Sequence, residues 1–229
     1  MKKKISDIHI ILNYGHSNLT SGKRSPLYSS LSKEDQAYFK KFQEFGKDRY
    51  YEWRSNRVIG KQIAETLKER GWNVHEIYPE EGKDMSLTTI VKKTNEICKK
   101  YGTGNCVFLS VHSDAAGNGG WYKARGWAAW TTKGQTRSDK LATYLYKFAD
   151  KEFPNNKQKV RKETSDKDPD YESNFTVIKG ANCPAVLTEN FFYDNVDDLK
   201  YIVSEKGQHA IVWVHVMGLE EFIYNEMMN

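Results

Sequence analysis

Two histidines stand at the ends of short apolar runs, where the side chains of an α/β protein can meet a ligand. His16 is the last residue of the run 10–16, and His112 is the last residue of the run 107–112. Because the carboxyl ends of parallel strands open into a crevice, we expect both imidazoles at one edge of a sheet. Two imidazoles and one carboxylate form a zinc site that keeps a fourth position for water. Zinc lowers the pKa of that water to about 7, which suits hydrolysis at neutral pH.

Two glutamates offer the carboxylates that this chemistry needs. Glu52 opens a helical pattern over residues 52–70, and Glu189 follows the apolar run 184–188. One carboxylate can complete the metal site, and a second can take the proton of water and pass it to a leaving amine. A structural interpretation stays open for each residue, since the helix dipole alone favours a glutamate at a helix start.

Alternating strands and helices must position these residues. Apolar windows predict strands over residues 7–13, 73–78, 106–111, 126–132, 175–178 and 185–188. Helical periodicity predicts helices over residues 52–70, 87–101, 137–153, 196–202 and 204–226. The order predicts one α/β domain over residues 1–229, with three αβα layers and a mostly parallel or mixed central sheet.

Two polar stretches interrupt this pattern. Residues 17–51 contain a possible helix within 33–45, and we expect this segment to be an inserted loop or lid. Residues 154–172 are highly charged and are expected to form a loop.

Composition narrows the classes of protein. The chain has 229 residues, 38% of them hydrophobic, which is enough for a core. A net charge of +5 suggests an anionic partner without identifying one.

The sequence has three cysteines and no CxxC motif. We therefore expect Cys98, Cys106 and Cys183 to be reduced thiols rather than ligands of a metal site. No apolar run has the length of a signal peptide or a membrane span, so we expect cytoplasmic synthesis and no membrane insertion.

Competing catalytic signatures are absent from the sequence. HExxH and GxSxG do not occur, which argues against zincin-type peptidases and serine hydrolases. A P-loop and GxGxxG are also absent, and no nucleic-acid-binding motif accompanies the mild basicity. We therefore expect no nucleic-acid partner.

Four short motifs follow one another along the chain. They are Gly15-His16, EWRSN at residues 52–56, SVHSDA at residues 110–115 and LTE at residues 187–189. Their order and separations resemble the zinc-dependent N-acetylmuramoyl-L-alanine amidases, the αβα family found in cell-division amidases and phage endolysins. The resemblance covers about residues 7–224.

This resemblance implies a role for each matching residue. His16, Glu52 and His112 match the zinc ligands, and Glu189 matches the catalytic glutamate. The implied reaction is hydrolysis of the amide between N-acetylmuramic acid and the L-alanine of the peptidoglycan stem. Asn56 lies one helical turn beyond Glu52, where it could support that ligand.

Other features concern substrate and context. Trp121, Tyr122 and Arg125 could stack on sugar rings and pair with stem carboxylates. The chain departs from the family in having Asn13 where an aspartate is usual, and a longer segment between His16 and Glu52. Without an export signal, we expect a monomeric phage or prophage endolysin. A zinc peptidase cutting within the stem and an inactive wall-binding protein remain as alternatives.

Overall fold

A mixed six-stranded sheet forms the centre of the molecule. The structure is a computed structural model that describes residues 3–153, 159–165 and 167–228. The strands are β1 (His9–Tyr14), β2 (Asn73–Ile77), β3 (Cys106–Asp114), β4 (Ala128–Thr131), β5 (Tyr171–Glu172) and β6 (Ala185–Phe192). Their order is β2-β1-β3-β6-β4-β5, and neighbours are parallel except β4 and β6. The predicted mixed sheet is confirmed.

Helices cover both faces of this sheet. They are α1 (Lys33–Phe39), α2 (Glu52–Glu69), α3 (Leu87–Tyr101), α4 (Arg137–Glu152), α5 (Thr176–Lys179), α6 (Val196–Val203) and α7 (Glu205–Phe222). Several begin with a side chain that accepts a hydrogen bond from a backbone N–H of the first turn, as expected of helix caps. These caps are Ser32, Ser86, Thr136, Asn195 and Ser204.

Each face of the sheet has its own core, because successive side chains of a strand point to opposite faces. Val107, Leu109 and Val111 of β3 belong to the larger core, under α2, α4 and α7. Phe108 belongs to the smaller core, under α3 and α5. The three-layer αβα arrangement predicted from the sequence is therefore confirmed.

The strand predicted over residues 175–178 is wrong, because this segment forms the one-turn helix α5. The Lys179 N–H donates to the Phe175 carbonyl at 2.9 Å, and the Gly180 N–H donates to the Thr176 carbonyl at 3.0 Å. Val177 and Ile178 are buried in the smaller core, which accounts for the apolar run. A short buried run has no periodicity that separates a strand from a helix.

The loop predicted over residues 154–172 is wrong at its end, where residues 171–172 form β5. Residues 154–158 and 166 lie outside the described part of the chain. A two-residue strand carries no pattern that sequence reasoning could detect.

The final helix also differs from its prediction, since regular α-helix ends at Phe222 and a π-helical turn spans Ile223–Met227.

The segment 17–51 packs onto the domain through its aromatic residues. Phe39, Phe45 and Tyr50 are buried in the larger core. The Tyr38 hydroxyl donates to the Lys200 carbonyl at 3.2 Å. The helix expected within residues 33–45 ends at Phe39. A lid function for this segment stays a prediction.

The three cysteines are free thiols in the smaller core or against it. Among the described residues, no helix is long and apolar enough to cross a membrane.

Candidate active site

The structure brings His16, Glu52 and His112 together at the carboxyl edge of the sheet. One ligand atom from each lies within 4.8 Å of the others. His16 Nε2 is 3.3 Å from Glu52 Oε1, and His112 Nδ1 is 3.2 Å from the same oxygen. Ligands of a tetrahedral zinc ion, bound at about 2.0–2.2 Å, are separated by roughly 3.3–3.5 Å. The three side chains therefore have the spacing of a metal site.

The turn after β1 places His16, and it depends on Gly15. His16 has a φ of 67°, a left-handed conformation that residues with a side chain rarely adopt. A Cβ on residue 15 would overlap the His112 imidazole. Glycine is therefore required because one metal-site histidine packs directly on the backbone beside the other.

Two polar side chains fix the tautomer of His112. Residues 108, 110 and 112 alternate onto one face of β3, so Ser110 lies beside the His112 ring. The Ser110 hydroxyl donates to Asn13 Oδ1 at 2.8 Å, and Asn13 Nδ2 donates to the Ile77 carbonyl at 2.8 Å. Ser110 has a single hydrogen, so it must accept from His112 Nε2 at 3.1 Å. The His112 Nδ1 lone pair is left for a metal ion.

Glu52 is the first residue of α2, and its carboxylate is completely buried. Its Oε1 accepts the backbone N–H of Ser113 at 3.2 Å and Asn56 Nδ2 at 3.3 Å. Asn56 also donates to the Gly15 carbonyl at 3.0 Å, so it ties α2 to the turn that carries His16. Burial raises the pKa of Glu52, but the adjacent imidazoles of His16 and His112 outweigh this effect and lower the pKa.

Glu189 lies directly beside His112, because the register of β3 and β6 pairs these two residues. Both lie within strands rather than after them, which corrects the sequence prediction. The next pair in the register is Asp114 with Phe192, so β6 has one extra residue here. Phe191 has a φ of 68° in this bulge. Bulges often change the direction of side chains near active sites.

The Glu189 carboxyl group has the environment of a proton carrier. Its Oε2 is buried and has no hydrogen-bond partner among the described residues. Burial raises the pKa of Glu189 well above its usual range, and the carboxylates of Asp114 and Glu52 raise it further. A carboxyl group with a raised pKa can both accept and return a proton near neutral pH.

A cavity of about 570 Å³ opens onto this cluster between α3 and α5. His16, His112 and Glu189 line its floor. Its walls include Lys23 from the segment 17–51 and Phe175 before α5, a residue that is 37% exposed. Sequence reasoning missed both wall residues, since nothing in their local pattern separates them from other exposed lysines and apolar residues.

The predicted substrate residues lie elsewhere. Trp121 donates its ring N–H to Ser30 Oγ at 3.0 Å, within the segment 17–51. Tyr122 and Arg125 line a separate depression of about 330 Å³. Arg125 is already paired with Asp197 and Asp198, at 3.7 and 3.5 Å. None of these three side chains lines the cavity at the metal cluster, and their contact with substrate stays a prediction.

The donor set fits a metal ion. His16 Nε2 and Glu52 Oε2 are buried, and neither has a hydrogen-bond partner in the described chain. Buried polar atoms without partners cost free energy, which a bound cation would recover. Two imidazoles with one carboxylate are typical ligands of a catalytic zinc ion.

Comparison with known proteins shows the family to which the chain belongs. The sequence profile of the N-acetylmuramoyl-L-alanine amidases of the Amidase_3 type matches residues 10–221. No curated protein matches the sequence. The fold is similar to that of an N-acetylmuramoyl-L-alanine amidase from Clostridium difficile 630, at 20% identity and a TM-score of 0.69. That match covers 96% of this chain and 98% of the other.

Two further solved structures share the fold. The Ami1 amidase from Mycobacterium smegmatis is 13% identical, with a TM-score of 0.68 over 98% of this chain and 100% of that one. The catalytic domain of CD27L, an endolysin targeting Clostridia Difficile, is 18% identical, with a TM-score of 0.57 over 93% and 97% of the two chains. With the family profile spanning nearly the whole sequence, the chain belongs to the N-acetylmuramoyl-L-alanine amidase family.

Proposed function

We propose that this enzyme hydrolyses the amide between N-acetylmuramic acid and L-alanine in peptidoglycan with a zinc ion held by His16, Glu52 and His112. The observation that carries the proposal is the convergence of these three ligands beside Glu189 on the floor of one cavity. When bound, zinc supplies a Lewis acid and an activated water molecule.

The protein's own groups perform the proton transfers and the orientation. Glu189 Oε2 is free to accept a proton from the attacking water and to return it to the alanine nitrogen. Ser110 and Asn13 keep His112 Nδ1 unprotonated.

We further propose that the enzyme acts on the cell wall as a monomeric phage or prophage endolysin after synthesis in the cytoplasm. The endolysin catalytic domain among the structures of similar fold supports this role. A cell-division or remodelling amidase would cleave the wall of a growing cell without killing it. An endolysin would lyse the cell once it reaches the wall. Expression inside a host, with and without permeabilisation of its inner membrane, tests this role.

Digestion of purified peptidoglycan tests the reaction itself. Mass spectrometry of the products, with and without a chelator, should show intact stem peptides with a free N-terminal L-alanine. Chelation should abolish their release, and added Zn²⁺ should restore it. New termini further along the stem would instead identify a peptidase, and chelator-insensitive release would contradict the zinc assignment.

A further inference from the structure

The side chain of Lys23 places a positive charge at the wall of the active-site cavity. Lys23 is exposed, lines this cavity and forms no ion pair with any residue in the described ranges. Its charge lowers the pKa of Glu189 against the stronger effect of burial, and it lowers the pKa of His112 in the same direction as burial. The ammonium group is therefore near the reacting centre rather than at a distant rim.

The backbone of Lys23 is fixed to the metal cluster. The N–H of Glu52 donates to the Lys23 carbonyl at 3.1 Å, and the N–H of Ser25 donates to the Tyr50 carbonyl at 3.0 Å. Arg24 and Tyr51 form the antiparallel bridge between these two bonds. The two ends of the segment 17–51 thus pair with each other at the start of α2. This pairing holds Lys23 at a constant position relative to Glu52.

The other charged group on the wall does not neutralise Lys23. Asp84 also lines the cavity but forms no ion pair with Lys23, and its Oδ1 is held by the Ser17 hydroxyl at 2.8 Å and the Met85 N–H at 2.9 Å. The start of α3, at Ser86 and Leu87, faces the same cavity and adds the partial positive charge of a helix N-terminus. A lysine ammonium and a helix N-terminus that line the same cavity favour an anionic ligand there.

We propose that Lys23 binds a carboxylate of the stem peptide next to the scissile amide, and so makes the enzyme selective for stems that carry this charge. The inference rests on the proposed function. The second stem residue is a glutamate whose α-carboxyl group is either free or carboxamidated. One extended residue spans about 3.3–3.6 Å, so this group lies within reach of a lysine beside the reacting centre. Only the free carboxylate can form the ion pair.

Kinetics on two matched substrates test this selectivity. The probes are disaccharide muropeptides that differ only in having D-glutamate or D-isoglutamine as the second stem residue. The wild-type enzyme should cleave the carboxylate form with a kcat/KM about tenfold higher, the effect expected of one charge-assisted hydrogen bond. Lys23→Met should remove the preference by raising KM for the carboxylate form alone. Lys23→Arg should retain it.

Lys47→Met is the matched control, since Lys47 is an exposed lysine of the same segment that does not line the cavity. It should keep the wild-type preference. An unchanged preference in Lys23→Met, or equal losses of kcat on both substrates, would overturn the proposal. A wild-type enzyme without preference would overturn it while leaving the amidase assignment intact. Cleavage of neither substrate would instead contradict the proposed function.

Discussion

Ser110 holds the His112 imidazole in one tautomer by accepting a hydrogen bond from Nε2 at 3.1 Å while donating its own hydrogen to Asn13. Asn13 stands where the family usually has an aspartate, on β1 just before the turn that carries His16. The structure connects Asn13 with His112 instead. A neutral amide completes this chain of hydrogen bonds, because Asn13 also donates to the Ile77 carbonyl, which a carboxylate cannot do.

Removing the Ser110 hydroxyl should weaken metal binding while leaving the ligands in place. We expect Ser110→Ala to lower zinc affinity by about 10–100-fold, the usual effect of losing a group that orients a metal-bound histidine. Competition with a chromogenic chelator measures this affinity. Ser29→Ala, at an exposed position, is the control. Unchanged affinity in Ser110→Ala would mean that the hydrogen bond does not select the tautomer.

Adding a methyl group to Gly15 should displace His112. The new Cβ would overlap the imidazole, so the ring must move or the turn must open. We expect Gly15→Ala to lose at least about 10-fold in zinc affinity and to unfold about 1–3 kcal/mol more easily, the typical cost of overpacking. Elemental analysis and chemical denaturation measure the two effects.

Gly104→Ala provides a comparison for this substitution. A Cβ there meets only the end of the Lys3 side chain, at 3.8 Å. The variant should bind zinc as the wild type does. Wild-type zinc content in Gly15→Ala would contradict the close packing of Gly15 and His112.

Replacing the Glu189 carboxyl group with an amide should separate turnover from binding. Glu189→Gln should keep a full equivalent of zinc and the native fold, but lower kcat by about 10²–10⁴-fold, the range of general acid–base catalysis. The free energy of unfolding at pH 8 should not fall, because the amide removes a buried carboxyl group whose negative charge is disfavoured by burial and by the carboxylates of Asp114 and Glu52. Near-wild-type kcat would show that another group carries the proton.

The three carboxylates of Asp139, Asp168 and Asp170 predict a pH dependence of stability away from the active site. One oxygen from each lies within 4.8 Å of the others, and no Lys or Arg among the described residues forms an ion pair with them. Burial raises the pKa of Asp170 to about 8, and the nearby charge of Asp168 adds to this effect. Folded Asp170 therefore holds its proton at a pH where the unfolded chain has lost it.

This difference stabilises the fold at low pH, and the contribution is lost as the pH rises from the ordinary value of 3.8 through about 8. Asp170→Asn mimics the protonated form, so it should raise the free energy of unfolding at pH 8.5 by at least about 1–3 kcal/mol, because the variant does not bury the ionised carboxylate that the wild type has at this pH, and a buried charge costs more than an unpartnered neutral group. It should have little effect near pH 4. Urea denaturation across this range measures both, and equal effects at the two pH values would refute the assignment.

The sequence by itself determined which residues can do the chemistry and which elements carry them. Gly15-His16, the helix start at Glu52 and the alternating run around His112 are local patterns, so their order indicated the αβα fold and the family. The alternation of β3 also places Ser110 and His112 on one face, which follows from a side-chain period of two.

Only the tertiary structure decided how distant residues meet. The pairing of His112 with Glu189 depends on the register between two strands and on the bulge beside Phe191. Lys23 reaches the cavity because the ends of the segment 17–51 pair with each other, whereas Arg125 is held by Asp197 and Asp198 at another depression. Such contacts join residues far apart in the chain, and local periodicity contains no information about register, bulges or loop closure.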